Sequence, residues 1–152
     1  MGNSQKSYNQ LIEFINTFAD NHKQIKQFDN GFRFDLNRAI TEETSFPIIY
    51  VEAISHTMQD WTQIYSIRLY CLDIKQKDSS NETEIISDTL QILNDTIKYI
   101  RNDADQIWDV LNQPVAIPVT NYGTEFTTGW FCDMDIEASI NDTDCDIPII
   151  TD

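Results

Sequence analysis

The chain is poor in cysteine and glycine, two residues that often mark a recognisable site. Its three cysteines, Cys71, Cys132 and Cys145, form no CxxC pair, and their odd number favours reduced structural thiols over a disulfide framework. Its four glycines form no P-loop, no GxGxxG and no GxSxG motif. The sequence therefore predicts neither a phosphate-binding loop nor a nucleophile elbow.

Histidine is equally scarce. His22 and His56 lie in separate segments, and neither has a cysteine or carboxylate at metal-ligand spacing, so we interpret both as surface or helix-end residues. Alternating acids near the carboxyl terminus resemble the start of a calcium loop, but Ile147 stands where that loop needs glycine. The sequence predicts no catalytic, cofactor-binding or metal-binding residue.

Positive charge is the next shortage. Lysine and arginine number 10 against 25 aspartates and glutamates, giving a net charge of −15 and a pI of about 4.2. Such a surface repels nucleic acid rather than binding it. It can serve solubility, or it can form a wall that duplex DNA passes without sticking.

Long apolar runs are absent too. No run approaches the roughly 20 residues that a membrane helix needs, so no membrane partner is predicted. The apolar fraction of 41% in 152 residues is nevertheless enough for one folded core. We predict a flexible lead over residues 1–7 and a single α+β domain over 8–152, with an acidic tail from about residue 141.

The stretch from Trp61 to Arg101 organises the chain. Trp61–Ile74 is predicted to be a long strand, followed by a polar turn over Lys75–Glu82 and a long helix. One strand face is apolar and the other is mixed. The apolar strand face comprises Tyr65, Ile67, Leu69 and Cys71, and the apolar helix stripe comprises Ile85, Ile86, Leu90, Leu93, Ile97 and Ile100.

The other elements follow from shorter patterns. We predict a helix over Tyr8–His22, a turn at Asp29–Gly31, and then a short strand through Phe32, Phe34 and Leu36. Further strands are predicted over Pro47–His56, over Val115–Thr120 and over Gly129–Ile140, with a hairpin-like turn at Asn121–Gly123. Asp103–Asn112 is predicted to be a second, shorter helix or a kinked continuation of the long one.

These elements give the order α-β-β-β-α-(α)-β-β. The predicted fold class is α+β, with an antiparallel or mixed sheet and helices packed on one face. Aromatic residues are many for a small domain, and we expect at least one of them to serve a subunit interface. The aromatics considered are Trp61, Tyr65, Trp108, Tyr122, Phe126 and Trp130.

Several segments resemble a family of phage proteins. They are Phe18–His22, Pro47–Glu52, Ile85–Ile92, the Gly129-Trp130 pair and the ending Cys145–Pro148. In these segments and in element order, the chain resembles the tail-terminator or neck (tail-completion) proteins of tailed bacteriophages, including those of crAss-like phages of Bacteroides. The resemblance covers nearly the whole chain.

The resemblance implies a structural virion protein and not an enzyme. Members of the terminator class form rings around the DNA channel and join the head to the tail. The implied partners are other copies in a hexameric or dodecameric ring, other neck, portal or tail proteins, and genomic DNA that passes through without specific binding. The implied location is the neck or tail of the virion, after synthesis in the bacterial cytoplasm, and no cofactor is implied.

A ring needs contacts between copies, which we expect from polar segments between or beyond the regular elements. These segments are the Arg38–Phe46 connection, the Lys75–Asn81 turn and the tail after Asn141. Two other functions stay open: a small acidic host adaptor or immunity-type binding protein, and an enzyme with an unrecognised carboxylate site. The candidate interface residues are Arg38, Glu42, Phe46, Lys75, Lys77, Asp78, Trp108, Tyr122 and Ile149.

Overall fold

Within residues 7–32, 36, 38–75, 80–103, 105–120 and 126–140, the computed structural model contains two helices and six strands. The helices are α1 (Tyr8–Asn21) and α2 (Glu82–Arg101). The strands are β1 (Gln27–Gly31), β2 (Ile48–Met58), β3 (Thr62–Ile74), β4 (Asp109–Val110), β5 (Ile117–Thr120) and β6 (Thr127–Ser139). The predicted α+β class is confirmed.

The strands form one mixed sheet across the described residues, in the order β1-β2-β3-β6-β4, with β5 also paired to β6. Strands β2, β3 and β6 are antiparallel neighbours and form the centre of the sheet. β1 pairs with β2 in parallel, which requires the chain between them to cross over the sheet. That crossover decides how the second face of the sheet is covered.

Helix α1 forms where the sequence predicts it. Ser7 caps it: the Ser7 hydroxyl accepts from the Gln10 N–H, and the Gln10 side chain accepts from the Ser7 N–H, so two free donors of the first turn are satisfied. Ser7 therefore belongs to the helix start and not to a flexible lead, while residues 1–6 lie outside the described part. Leu11, Ile15 and Ala19 are buried on one face.

Helix α2 is also where the sequence predicts it, but its buried face is rotated from the predicted stripe. Ile85, Leu93 and Ile100 are buried as expected, whereas Ile86, Leu90 and Ile97 are only partly buried. The remaining buried positions are Thr89, Ile92 and Thr96. The two threonine hydroxyls donate to the carbonyls of Ile85 and Ile92 at 2.7 and 2.9 Å, so neither is unsatisfied inside the core.

Both helices lie on the same face of the sheet, as predicted. Their buried residues and those of the sheet form one cluster, the helix-side core, and the α2 face packs on the face of β3 that the alternation predicts. α2 therefore packs on β3 as predicted, but it does so through only part of the predicted stripe, Leu93 and Ile100, together with Ile92 from outside it. The helix-side core includes Leu11, Ile15, Ile92, Leu93, Tyr65, Ile67, Leu69, Cys71, Cys132 and Met134.

The opposite face is partly covered as well, although the sequence predicts it to be mixed and uncovered. The connection between β1 and β2 folds over this face and inserts Leu36 and Ile40, both fully buried, against the sheet. The Ile40 N–H donates to the Leu36 carbonyl, so the two side chains are one helical turn apart. This second core comprises Leu36, Ile40, Ile48, Tyr50, Tyr70 and Leu72.

The first predicted strand and turn are wrong in position. The strand is Gln27–Gly31, so Asp29–Gly31 lies inside it and not in a turn, and Leu36 lies in the helical turn. The cause is tertiary: Gln27 to Gly31 align with Ile48 to Glu52 of β2, and this long-range pairing overrides a local turn signal. Residues 33–35 lie outside the described part.

The predicted second helix over Asp103–Asn112 is also wrong. The Asp103 carboxylate accepts from the backbone N–H groups of Asp105, Ile107 and Trp108, an arrangement that competes with helix continuation. The chain then turns at Gln106, whose φ is 54°, and enters the short strand β4. A strand therefore stands where the predicted order had an optional helix.

The closing strands follow the prediction. β6 places Cys132, Met134 and Ile136 in the helix-side core and leaves Phe131, Asp133, Asp135 and Glu137 on the other face. β5 pairs only with β6 among the described strands, so it is the edge strand expected from its proline.

Candidate functional site

The Arg38–Phe46 connection contributes both surface and core. Arg38 and Glu42 are exposed, as an interface requires, but Phe46 is half-buried and packs on the second core. Ile40, between them, is fully buried. Only part of this segment therefore remains available to another subunit.

Lys75 is engaged within the chain. Its ammonium lies 2.7 Å from a Glu82 carboxylate oxygen, its side chain is only 11% exposed, and its N–H donates to the Phe126 carbonyl at 2.7 Å. These contacts join the end of β3 to the start of α2 and to the entry of β6. Lys75 thus fixes the strand–helix connection, and little of its side chain is accessible to a neighbour.

Trp108 was expected at an interface and lies in the helix-side core instead. It is 5% exposed, and its ring packs near Phe14 and Tyr65. The Asp103 carboxylate accepts from its backbone N–H at 3.2 Å. Four further candidates lie outside the described residues: Lys77, Asp78, Tyr122 and Ile149.

The remaining aromatics divide between core and surface. Tyr65 is buried, and the half-buried Trp130 donates its indole N–H to the Ile86 carbonyl at 2.8 Å, fixing β6 to α2. Trp61 and Phe126 are exposed, Trp61 the more so at 69%. Trp61 is the aromatic whose position best fits a contact with another molecule.

His22 has a carboxylate partner that the sequence analysis missed. Its Nε2 lies 3.0 Å from Asp95, 73 residues away, and its Nδ1 accepts from the Gln24 N–H at 3.2 Å. Both ring nitrogens are therefore engaged, and in the neutral ring the Nε2–H donates to Asp95. His22 caps α1, as predicted, and ties that helix to α2.

A cleft of about 620 Å³ lies beside this pair, between the two helices. Its lining includes Phe14, Phe18, Asp95, Tyr99 and Asp103. Asp95 bonds His22 and Asp103 bonds backbone amides, so both carboxylates already have structural roles. Within the described residues, no group of three or more His, Cys, Asp or Glu side chains is arranged to hold a metal ion.

The two described thiols are deep in the sheet. Cys71 and Cys132 are free and fully buried, on the face that α2 covers. Burial raises the pKa of Cys132 to about 12 and raises the pKa of Cys71 further, because a thiolate loses its hydration there. Both are structural thiols, as the sequence indicates, and Cys145 lies outside the described residues.

A ladder of polar pairs runs along the outer face of β3 and β6. Arg68 forms two hydrogen bonds with Asp133, at 2.6 and 3.0 Å, and its guanidinium lies 4.3 Å from the centre of the Phe131 ring. The Asp133 carboxylate accordingly raises the pKa of Arg68. Ser66 donates to Asp135 at 2.7 Å. These pairs satisfy the hydrogen-bonding groups of side chains on neighbouring strands. The ladder contains more carboxylates than its one cation, Arg68, so this face stays acidic.

The Asp73 carboxylate has a raised pKa in the folded state, and a substitution can measure its effect on stability. Burial, and secondarily the charge of Asp88, raises its pKa, although a hydrogen bond from the Ile74 N–H opposes the shift. An acid with a raised folded pKa stabilises the fold fully below its unfolded pKa, and this contribution is lost as pH rises through the folded pKa. At neutral pH the charged, half-buried carboxylate is therefore expected to be less favourable than a neutral side chain of the same shape.

We expect Asp73→Asn to raise the melting temperature at pH 7 and to leave it unchanged near pH 3, below the ordinary aspartate pKa of about 3.9. The control is Asp60→Asn, which changes the net charge equally on the exposed β2–β3 turn. Thermal unfolding of both variants across this pH range measures the difference. Equal gains for the two variants at pH 7 would mean that net charge, and not burial of Asp73, is responsible.

The clearest surface without a partner strand, among the described residues, is the edge of β2. β1 pairs with β2 only as far as Glu52, and none of the described strands pairs with Ile54–Met58 on the side away from β3. All five residues of this stretch are exposed. A β-bulge at Ile54 marks its beginning, where the β2–β3 register shifts. We call Ile54–Met58 the open edge.

The other side of the sheet is protected. The segment from Asp109 to Thr120 runs along β6 and covers it. It pairs with β6 through β4 and through β5, and between them the Leu111 N–H donates to the Asp135 carbonyl. Between these, the Asn112 side chain bonds the Asp133 carbonyl and the Asp135 N–H, both at 2.9 Å. The covering segment contains two prolines, which lack an N–H and make it a poor template for a further strand.

Large apolar side chains surround the open edge. Met58 is 64% exposed and Trp61 69% exposed at the β2–β3 turn, and Phe32 and Ile54 are exposed at the other end. A cleft of about 490 Å³ lies against the open edge, lined in part by Tyr8, His56 and Tyr65. Exposed apolar groups next to unpaired backbone are typical of a protein contact. The sequence predicts a strand over Pro47–His56, but neither its extension through Thr57 and Met58 nor the missing partner strand along its second half.

Comparison of the chain with protein-family models and with curated proteins finds no match. Among the described helices, none has the length and apolar character needed to cross a membrane. The sheet edge and the acidic surface are the structural features that a proposed function has to explain.

Proposed function

We propose that this chain is a structural virion subunit of a tailed bacteriophage. In this proposal it is a tail terminator or another neck (head–tail connector) protein, which forms a ring around the DNA channel and performs no catalysis. The observation that carries the proposal is the resemblance of its segments to that class. The segments within the described residues are Phe18–His22, Pro47–Glu52, Ile85–Ile92 and Gly129-Trp130.

The positions of these segments support a structural role for them. Phe18–His22 ends α1 and is joined to α2 through the 3.0 Å contact between His22 and Asp95. Ile85–Ile92 begins α2 and accepts the Trp130 indole N–H at Ile86. Ile85–Ile92 and Gly129-Trp130 thus contact each other directly, and Phe18–His22 contacts the same helix at Asp95, beyond the resembling segment.

The surface supports assembly. A closed ring needs two different patches on each subunit, since each copy uses one patch on each neighbour. Exposed apolar side chains occur near both sheet edges, with Met58 and Trp61 at one and Val115 and Ile117 at the other. Arg38 and Glu42 add exposed polar groups on the connection over the second core. The ring's other partners in this proposal are neck, portal or tail proteins.

The charge supports passage of DNA without binding. Each subunit carries −15, and the outer face of β3 and β6 alone presents Asp133, Asp135 and Glu137. Such a surface repels the phosphate backbone and offers few cations for counterion release. The isolated protein is therefore expected to show no appreciable affinity for duplex DNA at physiological salt. Sub-micromolar duplex binding that weakens with salt would contradict this part of the proposal.

The decisive experiment is to find the protein in purified particles. We expect mass spectrometry of phage particles to detect the chain at ring stoichiometry, and cryo-electron microscopy to place its α+β fold in a ring at the neck or tail. Its absence from particles, with presence in the infected cell, would favour an adaptor or immunity-type protein instead. A single copy away from any symmetry axis would rule out the ring.

A further inference from the structure

The backbone of the open edge points donors and acceptors to solvent. The Gln59 N–H donates to the Thr62 carbonyl at 2.8 Å, so these two residues form the closing hydrogen-bonded pair of the β2–β3 hairpin. Pairs along an antiparallel ladder alternate, which makes Thr57 and Ser55 bond to β3. The N–H and C=O groups of His56 and Met58 therefore point away from β3.

The side chains of the open edge form a sequence that matches its own reverse. Ile54 and Met58 are apolar, Ser55 and Thr57 carry hydroxyls, and His56 is at the centre. Antiparallel pairing of this stretch with itself places Ile54 opposite Met58 and Ser55 opposite Thr57. Hydroxyl pairs and apolar pairs are both favourable cross-strand neighbours.

The absence of charged residues also favours this edge for a contact between identical chains. Each copy carries −15, so two copies repel wherever their carboxylates meet. The stretch from Ile54 to Gln59 contains no Asp, Glu, Lys or Arg, although acidic residues are common elsewhere. It also lacks the lysine or proline that commonly blocks an exposed edge.

We propose that two copies of this chain pair through their open edges, Ile54–Met58 against Ile54–Met58 in antiparallel orientation, to form one continuous sheet. The contact is isologous and stops at a dimer. It concerns the free chain in solution and uses one patch on both copies, whereas a contact in the proposed ring joins the Met58 edge to a different patch of the neighbour. Failure to find it would leave the virion proposal standing, and the reverse also holds.

The dimer should strengthen as salt increases. Repulsion between two chains of −15 acts over about 30 Å at 0.01 M ionic strength and over about 3 Å at 1 M. Backbone hydrogen bonds and apolar contacts at a neutral edge are affected far less. We expect the free chain to be mainly monomeric at low salt, with a dimer dissociation constant at least about tenfold lower at high salt.

Met58→Pro tests the contact at the backbone. Proline removes an N–H that points away from β3, so the β2–β3 ladder is left intact. Met58→Ala is the matched control, because it loses the same side chain and keeps the N–H. Analytical ultracentrifugation across salt, with circular dichroism to verify folding, should show a Met58→Ala dimer and a Met58→Pro dimer weakened at least about tenfold.

A chain truncated after Ile140 tests whether the carboxyl-terminal segment, rather than a second copy of the chain, pairs with the open edge. We expect this truncated chain to dimerise as the full chain does. If it is monomeric while the full chain dimerises, the carboxyl-terminal segment fills the edge and the edge-to-edge contact is wrong. Equal dimerisation of Met58→Pro and Met58→Ala, association that weakens with salt, or growth beyond a dimer would each overturn the proposal as well.

Discussion

Gly129→Ala is expected to lower the free energy of unfolding by more than about 3 kcal/mol. Gly129 lies in β6, between Leu72 of β3 and Val119 of β5. A Cβ added there would overlap the Cys71 carbonyl oxygen and lie 3.0 Å from the Leu72 Cα. Both are backbone atoms, so no side-chain rotation relieves the contact. The requirement for glycine at this position is space and not an unusual φ.

The cost should be large because the clash is at the centre of the sheet. β3 and β6 pair without interruption from Thr62 to Ile74, so separating them at Gly129 disturbs neighbouring hydrogen bonds in both directions. Overpacking a buried site costs typically about 1–3 kcal/mol when side chains can adjust, and here they cannot. We expect a loss above about 3 kcal/mol, a large part of the stability of about 5–15 kcal/mol typical of a domain.

The adjacent Thr128→Ala is the matched control. Thr128 is buried in the same strand, and its hydroxyl donates to the Val119 carbonyl at 3.1 Å, so alanine removes one hydrogen bond and adds no atom. Its cost should be near 1 kcal/mol. Chemical denaturation and soluble yield compare the two variants. A Gly129→Ala protein with the stability of Thr128→Ala would mean that β6 shifts to accommodate the methyl group.

Local periodicity predicted the elements whose neighbours along the chain decide their conformation. β3 alternates between buried and partly buried residues from Thr62 to Leu69, and α1 has both a capping box and an apolar face, so each could be predicted without knowledge of its partners. The orientation of α2 was predicted less well. Its stripe of large apolar residues differs from its buried face, because the small hydroxyl-bearing Thr89 and Thr96 fit against the sheet with their own hydrogen bonds satisfied.

The elements that could not be predicted depend on distant contacts. β1 forms because Gln27–Gly31 align with β2, and the stretch after Asp103 is irregular because one carboxylate binds three backbone amides. The His22–Asp95 contact joins residues 73 positions apart. The open edge has the same origin, since it exists only because β1 ends before β2 does. The spacing of residues in the sequence does not predict these contacts between distant segments.

Leu93→Ala tests whether the face of α2 that packs against β3 belongs to the core. Leu93 is fully buried in the helix-side core against β3, so alanine removes its burial and leaves a cavity. We expect the free energy of unfolding to fall by roughly 2–5 kcal/mol. Ile92→Ala should cost a similar amount, because Ile92 is also fully buried, although it does not belong to the stripe predicted from the sequence.

Leu90→Ala is the control that separates the two orientations of α2. Leu90 belongs to the predicted stripe, yet it is only partly buried and lies outside the helix-side core. Its truncation should cost less than half as much as that of Leu93 in urea denaturation monitored by tryptophan fluorescence. A Leu90→Ala cost equal to that of Leu93→Ala, with a small cost for Ile92→Ala, would favour the sequence-based stripe.

A loss under about 0.5 kcal/mol for Leu93→Ala in a folded monomer would contradict burial of Leu93 in the core, because truncating a large buried side chain destabilises a protein by more than this. The same face of α2 would then be a contact surface for another subunit.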